Sequence, residues 1–151
     1  MKHRFENHDF VTERGSQLID LTDDVRTAVE RAEIDNGMAL VYSPHTTCAI
    51  VINEKESGFE QDFADLLAEI SPCEGKYYRH DDLEIRTEGL DPDGPEPANG
   101  HAHCLAGVLA SSSQTVPVVD GSLMLGRWQR IFFCELDSSR PRKVFIQVIG
   151  D

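Results

Sequence analysis

Eighteen consecutive positions in the middle of the chain, residues 81 to 98, exclude a core element: they hold seven acidic side chains, three prolines, two glycines and a single arginine. Such a stretch cannot seal a hydrophobic layer, because buried carboxylates need partners and proline removes backbone donors. Any core must therefore come from the blocks on either side. A loop of this length in a compact domain is functional, subunit-covering or mobile, and residues 71 to 100 as a whole are expected to lack regular structure.

Before the loop, residues 4 to 11 and 17 to 21 mix apolar and polar side chains around a Gly15-Ser16 turn and predict two strands. Thr22 offers a helix N-cap, with Asp23 and Asp24 in the first turn. Val25, Ala28, Val29 and Ala32 then recur at helical spacing, and Asn36-Gly37 supplies a left-handed stop. Residues 38 to 43 and 48 to 53 are β-rich runs separated by Pro44-His45-Thr46-Thr47, which suits a loop or bulge and places His45 at an irregular point between two buried strands. Ser57-Gly58-Phe59-Glu60 has the form of a capping box, and the stripe Phe59, Phe63, Leu66, Leu67, Ile70 predicts a helix over 57–70. After the loop, 103–110 reads as a short helix and 115–119, 122–125, 131–136 and 143–149 as strands, with turns at Asp120-Gly121 and 137–141.

The whole chain, 151 residues, is read as one domain, and at this length roughly 70% of the surface exposed by the unfolded form can be buried without disulfides or structural metal. With 27 Asp and Glu against 14 Lys and Arg, the net charge of −13 argues against nucleic acid or an anionic membrane as partner. No apolar run approaches the roughly 20 residues of a membrane span. The polar N-terminus lacks a signal peptide's apolar stretch, so a cytoplasmic location is expected. Cys48, Cys73, Cys104 and Cys134 show no C-x-x-C spacing and read mostly as small buried hydrophobes.

Four of the six histidines, His45, His80, His101 and His103, fall on loops or element edges, where histidines more often carry chemistry. His101-Ala102-His103, if extended, points both imidazoles to one face about 7 Å apart, a spacing one metal ion can bridge with His45 or His80 as third ligand. The plainer alternative has His103 lining the following helix and His101 solvated. Glu54 and Glu135 sit at or inside apolar strands, and a half-buried carboxylate there needs an imidazole or arginine; the solvent face of the strand is the alternative for both. From Gly121 to Asp151 five basic residues outnumber three acidic ones, and the forks of Arg140 and Arg142 suit phosphate or a subunit's carboxylate. Trp128 can stack on a ligand or seal core or interface. Ser43, Thr46 and Thr47 offer hydroxyls to an oxyanion, but neither a nucleophile elbow nor a phosphate-cradling glycine loop is present.

Read together, Arg14-Gly15, Ile19-Asp20-Leu21-Thr22, Ser43-Pro44-His45-Thr46-Thr47, Asn53-Glu54, Tyr78-Arg79-His80, Asn99-Gly100-His101-Ala102-His103, Leu125-Gly126, Trp128-Gln129, Glu135-Leu136-Asp137 and Arg140-Pro141-Arg142 resemble the YjbQ-like family across nearly the whole chain. The resemblance implies an α+β fold with mixed or antiparallel, sandwich-like β-sheets and two main helices, assembled as a homotrimer. It implies a thiamine phosphate synthase activity, joining hydroxymethylpyrimidine pyrophosphate to a thiazole phosphate with release of pyrophosphate. On that reading His45, His80 and His103 contact the leaving group or a divalent metal (zinc or magnesium), and His45, His101 and His103 are its candidate ligands. Arg140, Arg142, Thr46, Thr47, Trp128 and Gln129 bind small phosphorylated substrates, and Glu135 orients an imidazole. The chain departs from the family pattern at Arg127, where a small or hydroxyl residue is expected, and at Ala110, where glycine is expected. Two other classes stay open at this point: a metal-dependent hydrolase of a phosphorylated metabolite, and a non-enzymatic trimer that binds an anion or metal.

Overall fold

A computed structural model describes residues 1–151 as eight strands and three α-helices. The strands are β1 (Lys2–Val11), β2 (Gln17–Asp20), β3 (Gly37–Tyr42), β4 (Cys48–Glu54), β5 (Ser113–Val119), β6 (Ser122–Leu123), β7 (Gln129–Glu135) and β8 (Pro141–Gly150). The helices are α1 (Thr22–Ala32), α2 (Ser57–Ile70) and α3 (Gly100–Leu109). Every strand pair is antiparallel, in a five-stranded sheet ordered β1-β8-β3-β5-β6 and a three-stranded sheet ordered β2-β7-β4.

Side-chain alternation explains the layering. Along β8, Arg142, Val144, Ile146 and Val148 are buried while the residues between them are not. The buried set packs with Ala39 and Val41 of β3 and Val116 and Val118 of β5 against Ile131 and Phe133 of β7, and α1 closes the side of this core with Val25, Ala28 and Val29. In β7 the alternation disappears: Ile131 through Glu135 are all buried, as a central strand covered on both faces requires. Its second face, through Cys134, meets Leu67 of α2 and Ala102 and Leu105 of α3. The α+β, sandwich-like expectation therefore holds, with a helical layer added.

Several local expectations are corrected. Thr22 does not cap α1; its hydroxyl accepts from the Ile131 amide at 2.9 Å, while Asp20 accepts from the Thr22 amide at 3.0 Å. Glu33, with φ +51°, ends that helix before Asn36-Gly37 is reached. Helix α2 spans the expected 57–70, but Glu56 caps it by accepting from the Gly58 and Phe59 amides, and of the apolar stripe only Leu67 is fully buried. Helix α3 starts at Gly100 rather than 103, because Asp81 reaches across the loop to accept the Gly100 amide at 2.8 Å. It ends on Ala110 in the left-handed conformation (φ +47°), which explains why glycine is expected at that position. Of the expected loop 71 to 100, residue 100 already belongs to α3 and residues 71 to 99 hold only one helical turn, the 3-10 turn Arg79–Asp81, although Tyr78 and Asn99 are buried.

The cysteines divide evenly instead of being mostly buried: Cys48 and Cys134 are buried, Cys73 and Cys104 exposed. Burial pushes the Cys134 thiol up to about 12. In native protein at neutral pH, iodoacetamide is expected to label Cys73 and Cys104 and spare Cys48 and Cys134 until denaturant is added. Rapid native labelling of Cys134, read by peptide mass spectrometry, would contradict this packing.

Candidate functional site

The strand-breaking segment between β3 and β4 and the exposed face of α3 enclose a cleft of about 450 Å³. His45 and Thr46 line it from the segment, His103, Ala106 and Gly107 from the helix, and Ser43, Ser111 and Ser112 contribute further hydroxyls. Helical spacing selects the lining: 103, 106, 107 and 110 share one stripe of α3, and 101 and 105 lie on another. The H-x-H pair is therefore split. His103 faces the cleft, whereas His101 is buried on the other side, tilted against the Tyr78 ring at 6.3 Å. The extended pair proposed as a metal clamp does not form, because Asp81 starts the helix early. No group of three or more His, Cys, Asp or Glu side chains is arranged to hold a metal ion.

Beneath the cleft lies a buried ion pair. Glu135, fully buried at the end of β7, accepts from Arg142 Nε at 2.6 Å and Nη2 at 2.5 Å, from the Thr12 hydroxyl at 3.0 Å and from the Asp137 amide at 3.0 Å. Arg142 Nη2 also donates to the Thr47 hydroxyl at 2.9 Å. Burial works against the guanidinium's charge, but Glu135 more than offsets this and raises the pKa of Arg142. Arg142 and Thr47 are thus committed inside the protein and are not the open phosphate fork expected of them. Glu135 holds an arginine, not an imidazole.

The residue after Arg142 carries the next link: the Lys143 amide donates to His45 Nε2 at 2.9 Å. Neutral His45 must then carry its proton on Nδ1, making it a donor. Burial and then the Arg142 charge hold its pKa below the usual imidazole value. His103 is lowered by burial and by His80, whose ring centroid stands 4.4 Å away. His80 Nε2 lies 3.1 Å from Asn99 Oδ1, while Asn99 Nδ2 donates to Asp137 at 2.8 Å. Since the asparagine amide already points its donor at Asp137, His80 Nε2 is the donor to Oδ1. The 3.4 Å approach of Arg86 Nη1 to the same nitrogen is then no hydrogen bond; that guanidinium binds the His80 carbonyl at 3.1 Å and Glu96 at 2.9 Å. Asp137 also accepts from Arg140 Nε at 2.6 Å, and these partners hold its carboxyl below the usual range despite burial.

The structure therefore brings His45, His103 and Thr46 to one cleft, with His80 behind His103 and Arg142, Glu135 and Thr47 beneath. Arg140 is partly exposed but already paired. Trp128 and Gln129 are not part of the arrangement: Gln129 begins β7, about 20 Å along the strand from Glu135, and Trp128 precedes it. Trp128 is 61% exposed under the Arg127 guanidinium, so it seals no core, and Gln129 closes a turn by accepting from the Gly126 amide. Glu54 is exposed, on the solvent side. Thr12, Asn99 and Asp137 are structural participants that sequence reasoning did not assign. In the sequence Asp137 reads as a turn residue, and nothing local distinguishes Thr12.

Comparison with known proteins agrees with this fold. The profile of the family described as UPF0047 protein YjbQ-like matches residues 6–151. A UPF0047 protein of Archaeoglobus fulgidus is 39% identical over 138 residues, covering 91% of this chain and 95% of that protein. YugU of Bacillus subtilis is 34% identical over 92% of this chain and 94% of its own length. Among solved structures, a YbjQ-like protein of unknown function from Sulfolobus solfataricus superposes with a TM-score of 0.79 at 30% identity, covering 99% of both chains. One from Clostridium acetobutylicum reaches 0.78 at 35%, covering 95% of this chain and 99% of that one. The fold and site define an α+β protein with a histidine-lined cleft at the end of two packed sheets. The chain belongs to the YjbQ-like UPF0047 family. No helix is long and apolar enough to cross a membrane.

Removing one partner of the buried pair strands the other charge. Arg142→Met and Glu135→Leu are each expected to lower unfolding free energy by about 3–5 kcal/mol in urea titrations, and the double variant to recover part of that loss. Strictly additive losses would mean the two side chains are energetically independent.

Proposed function

We propose that the cleft is an active site for small phosphorylated metabolites, and that it catalyses a thiamine phosphate synthase-type transfer. In that reaction the thiazole nitrogen lone pair forms a C–N bond to the pyrimidine's methylene carbon. The C–O bond to pyrophosphate breaks, and its electron pair departs with the pyrophosphate. No oxidant, reductant or proton abstraction is needed. The protein's task is to hold two flat reactants at attack distance and to stabilise the departing oxygens.

The observation carrying this reading is that two imidazoles biased toward neutrality, His45 and His103, line one hydroxyl-rich cleft. His45, with its proton on Nδ1, and the Thr46 hydroxyl serve as donors to the leaving group. His103, set by His80, contacts phosphate oxygens. Arg142 acts through His45, and Glu135 and Thr47 act through Arg142. The site residues do not assemble a three-ligand metal set, so no step is assigned to an ion.

The family resemblance also implies a homotrimer, and we infer that the outer face of the five-stranded sheet is where copies meet. Phe5, Met38 and Tyr42 are exposed there, with Phe5 and Tyr42 rings 5.3 and 6.3 Å from that of Phe145. Apolar side chains clustered on an uncovered sheet face are unusual unless something packs on them. Tyr42 also lines the cleft, so assembly and site would share a wall. Phe145→Glu is expected to reduce the species seen by analytical ultracentrifugation to the 16.9 kDa monomer; a parent that already sediments as a monomer would refute the inference.

Protein purified from a host lacking its own thiamine phosphate synthase should form thiamine phosphate from the two heterocyclic phosphates, and His103→Ala should lose that product while keeping its circular dichroism. Because burial lowers both imidazole pKa values, the active neutral forms persist into acid. The acidic limb of kcat/KM should therefore fall below the ordinary imidazole value of about 6.5. Unchanged product formation by His103→Ala would sink the assignment.

A further inference from the structure

We propose that the protein has a second small-molecule site on the reverse side of α3, anchored on His101, for an uncharged ligand with an apolar ring and one O–H or N–H donor. A pocket of about 300 Å³ lies there, between the end of α2, the first turns of α3 and the Gly15-Ser16 turn. It is separate from the catalytic cleft, since α3 presents His103, Ala106 and Gly107 to one and His101 and Leu105 to the other.

Three features define the occupant. His101 is only 6% exposed and lines the pocket, and no side-chain hydrogen bond within the chain reaches either ring nitrogen. No buried side-chain nitrogen is both sealed from solvent and unpaired, so the His101 ring nitrogens keep solvent access, and His101 lines the pocket. A ligand donor that reaches the ring there takes the place of water, keeping the hydrogen bond while its apolar part is buried against the pocket walls. Leu67, Leu105 and Leu136 form the pocket's apolar walls, which suit a ring. The lining includes no lysine or arginine to meet a carboxylate or phosphate, and the Asp137 carboxylate that joins it is already paired. The volume accommodates a single substituted ring with room to spare.

Phenol, toluene and benzoate test each element on the full-length protein. In methyl-detected NMR titrations, phenol should give saturable shifts at Leu67, Leu105 and Leu136. Toluene, lacking the hydroxyl, should bind about five- to tenfold more weakly, the worth of one hydrogen bond, and benzoate more weakly than phenol. The His101 ring resonances should move with phenol and stay with toluene. His101→Phe should keep toluene binding, which also reports that the pocket has folded, and lose the preference for phenol. His103→Ala should bind phenol as the parent does, whether or not it retains activity, which separates this site from the catalytic reading. Absence of shifts at the three leucines, an unchanged phenol-to-toluene ratio in His101→Phe, or loss of phenol binding in His103→Ala would each overturn the proposal.

Discussion

The Glu135–Arg142 pair is the constraint on which the geometry of the cleft depends. Glu135 ends a strand of the three-stranded sheet and Arg142 begins a strand of the five-stranded one, so their two charge-assisted bonds fix one sheet against the other at the site end. Thr12, at the end of β1, and Thr47, just before β4, complete the coordination. Four chain segments converge on one carboxylate and one guanidinium. A fully buried Glu135 is tolerable only because Arg142, the Thr12 hydroxyl and the Asp137 amide all donate to it. The backbone amide that orients His45 belongs to the very next residue, Lys143, so the imidazole inherits its position from the pair.

Asp137 does for the histidine pair what Glu135 does for His45. Its amide is tied to Glu135 and its carboxylate to Asn99 and Arg140. Asn99 passes the orientation to His80, which stands against His103. The two halves of the cleft thus rest on two acidic residues separated by a single position in the chain. Arg86, the lone arginine of the acidic loop, joins the same arrangement by clamping the His80 carbonyl to Glu96. A segment without regular structure is in this way fastened to the site.

What was legible in the sequence follows from how local each signal is. The buried positions of α1 and the span of α2 come from helical periodicity, and both hold. Caps depend on one side chain's choice of partner, and there Glu56 and Asp20 prevail over the expected Ser57 and Thr22. Glu135 could be suspected because a carboxylate in an apolar strand must find a cation. Arg142 could not be assigned, because a guanidinium fork fits carboxylate and phosphate equally well. The split of His101 from His103 was hidden for a different reason. Whether two residues at i and i+2 face together depends on strand or helix geometry, and the start of α3 is decided by Asp81, nineteen positions away.

On the proposed reading, these pairings bear on how an acidic chain would serve anionic reactants. Arg142 is neutralised by Glu135 and Arg140 by Asp137, so the cleft offers little uncompensated positive charge. What it offers to a phosphate is neutral: imidazoles disfavoured from charging and the hydroxyls of Thr46 and Ser112. The protein's net charge of −13 is screened within about 8 Å at physiological salt, so it slows the approach of an anion more than it weakens short-range donors. Such donors also differ from free arginines in the balance they strike. A site of unpaired guanidiniums would grip a departing pyrophosphate about as strongly as it stabilises its formation. Preorganised dipoles favour the charge as it develops and hold the released anion less firmly. On that reading, the buried acids that fix the cleft's shape would also set the strength with which it holds an anion.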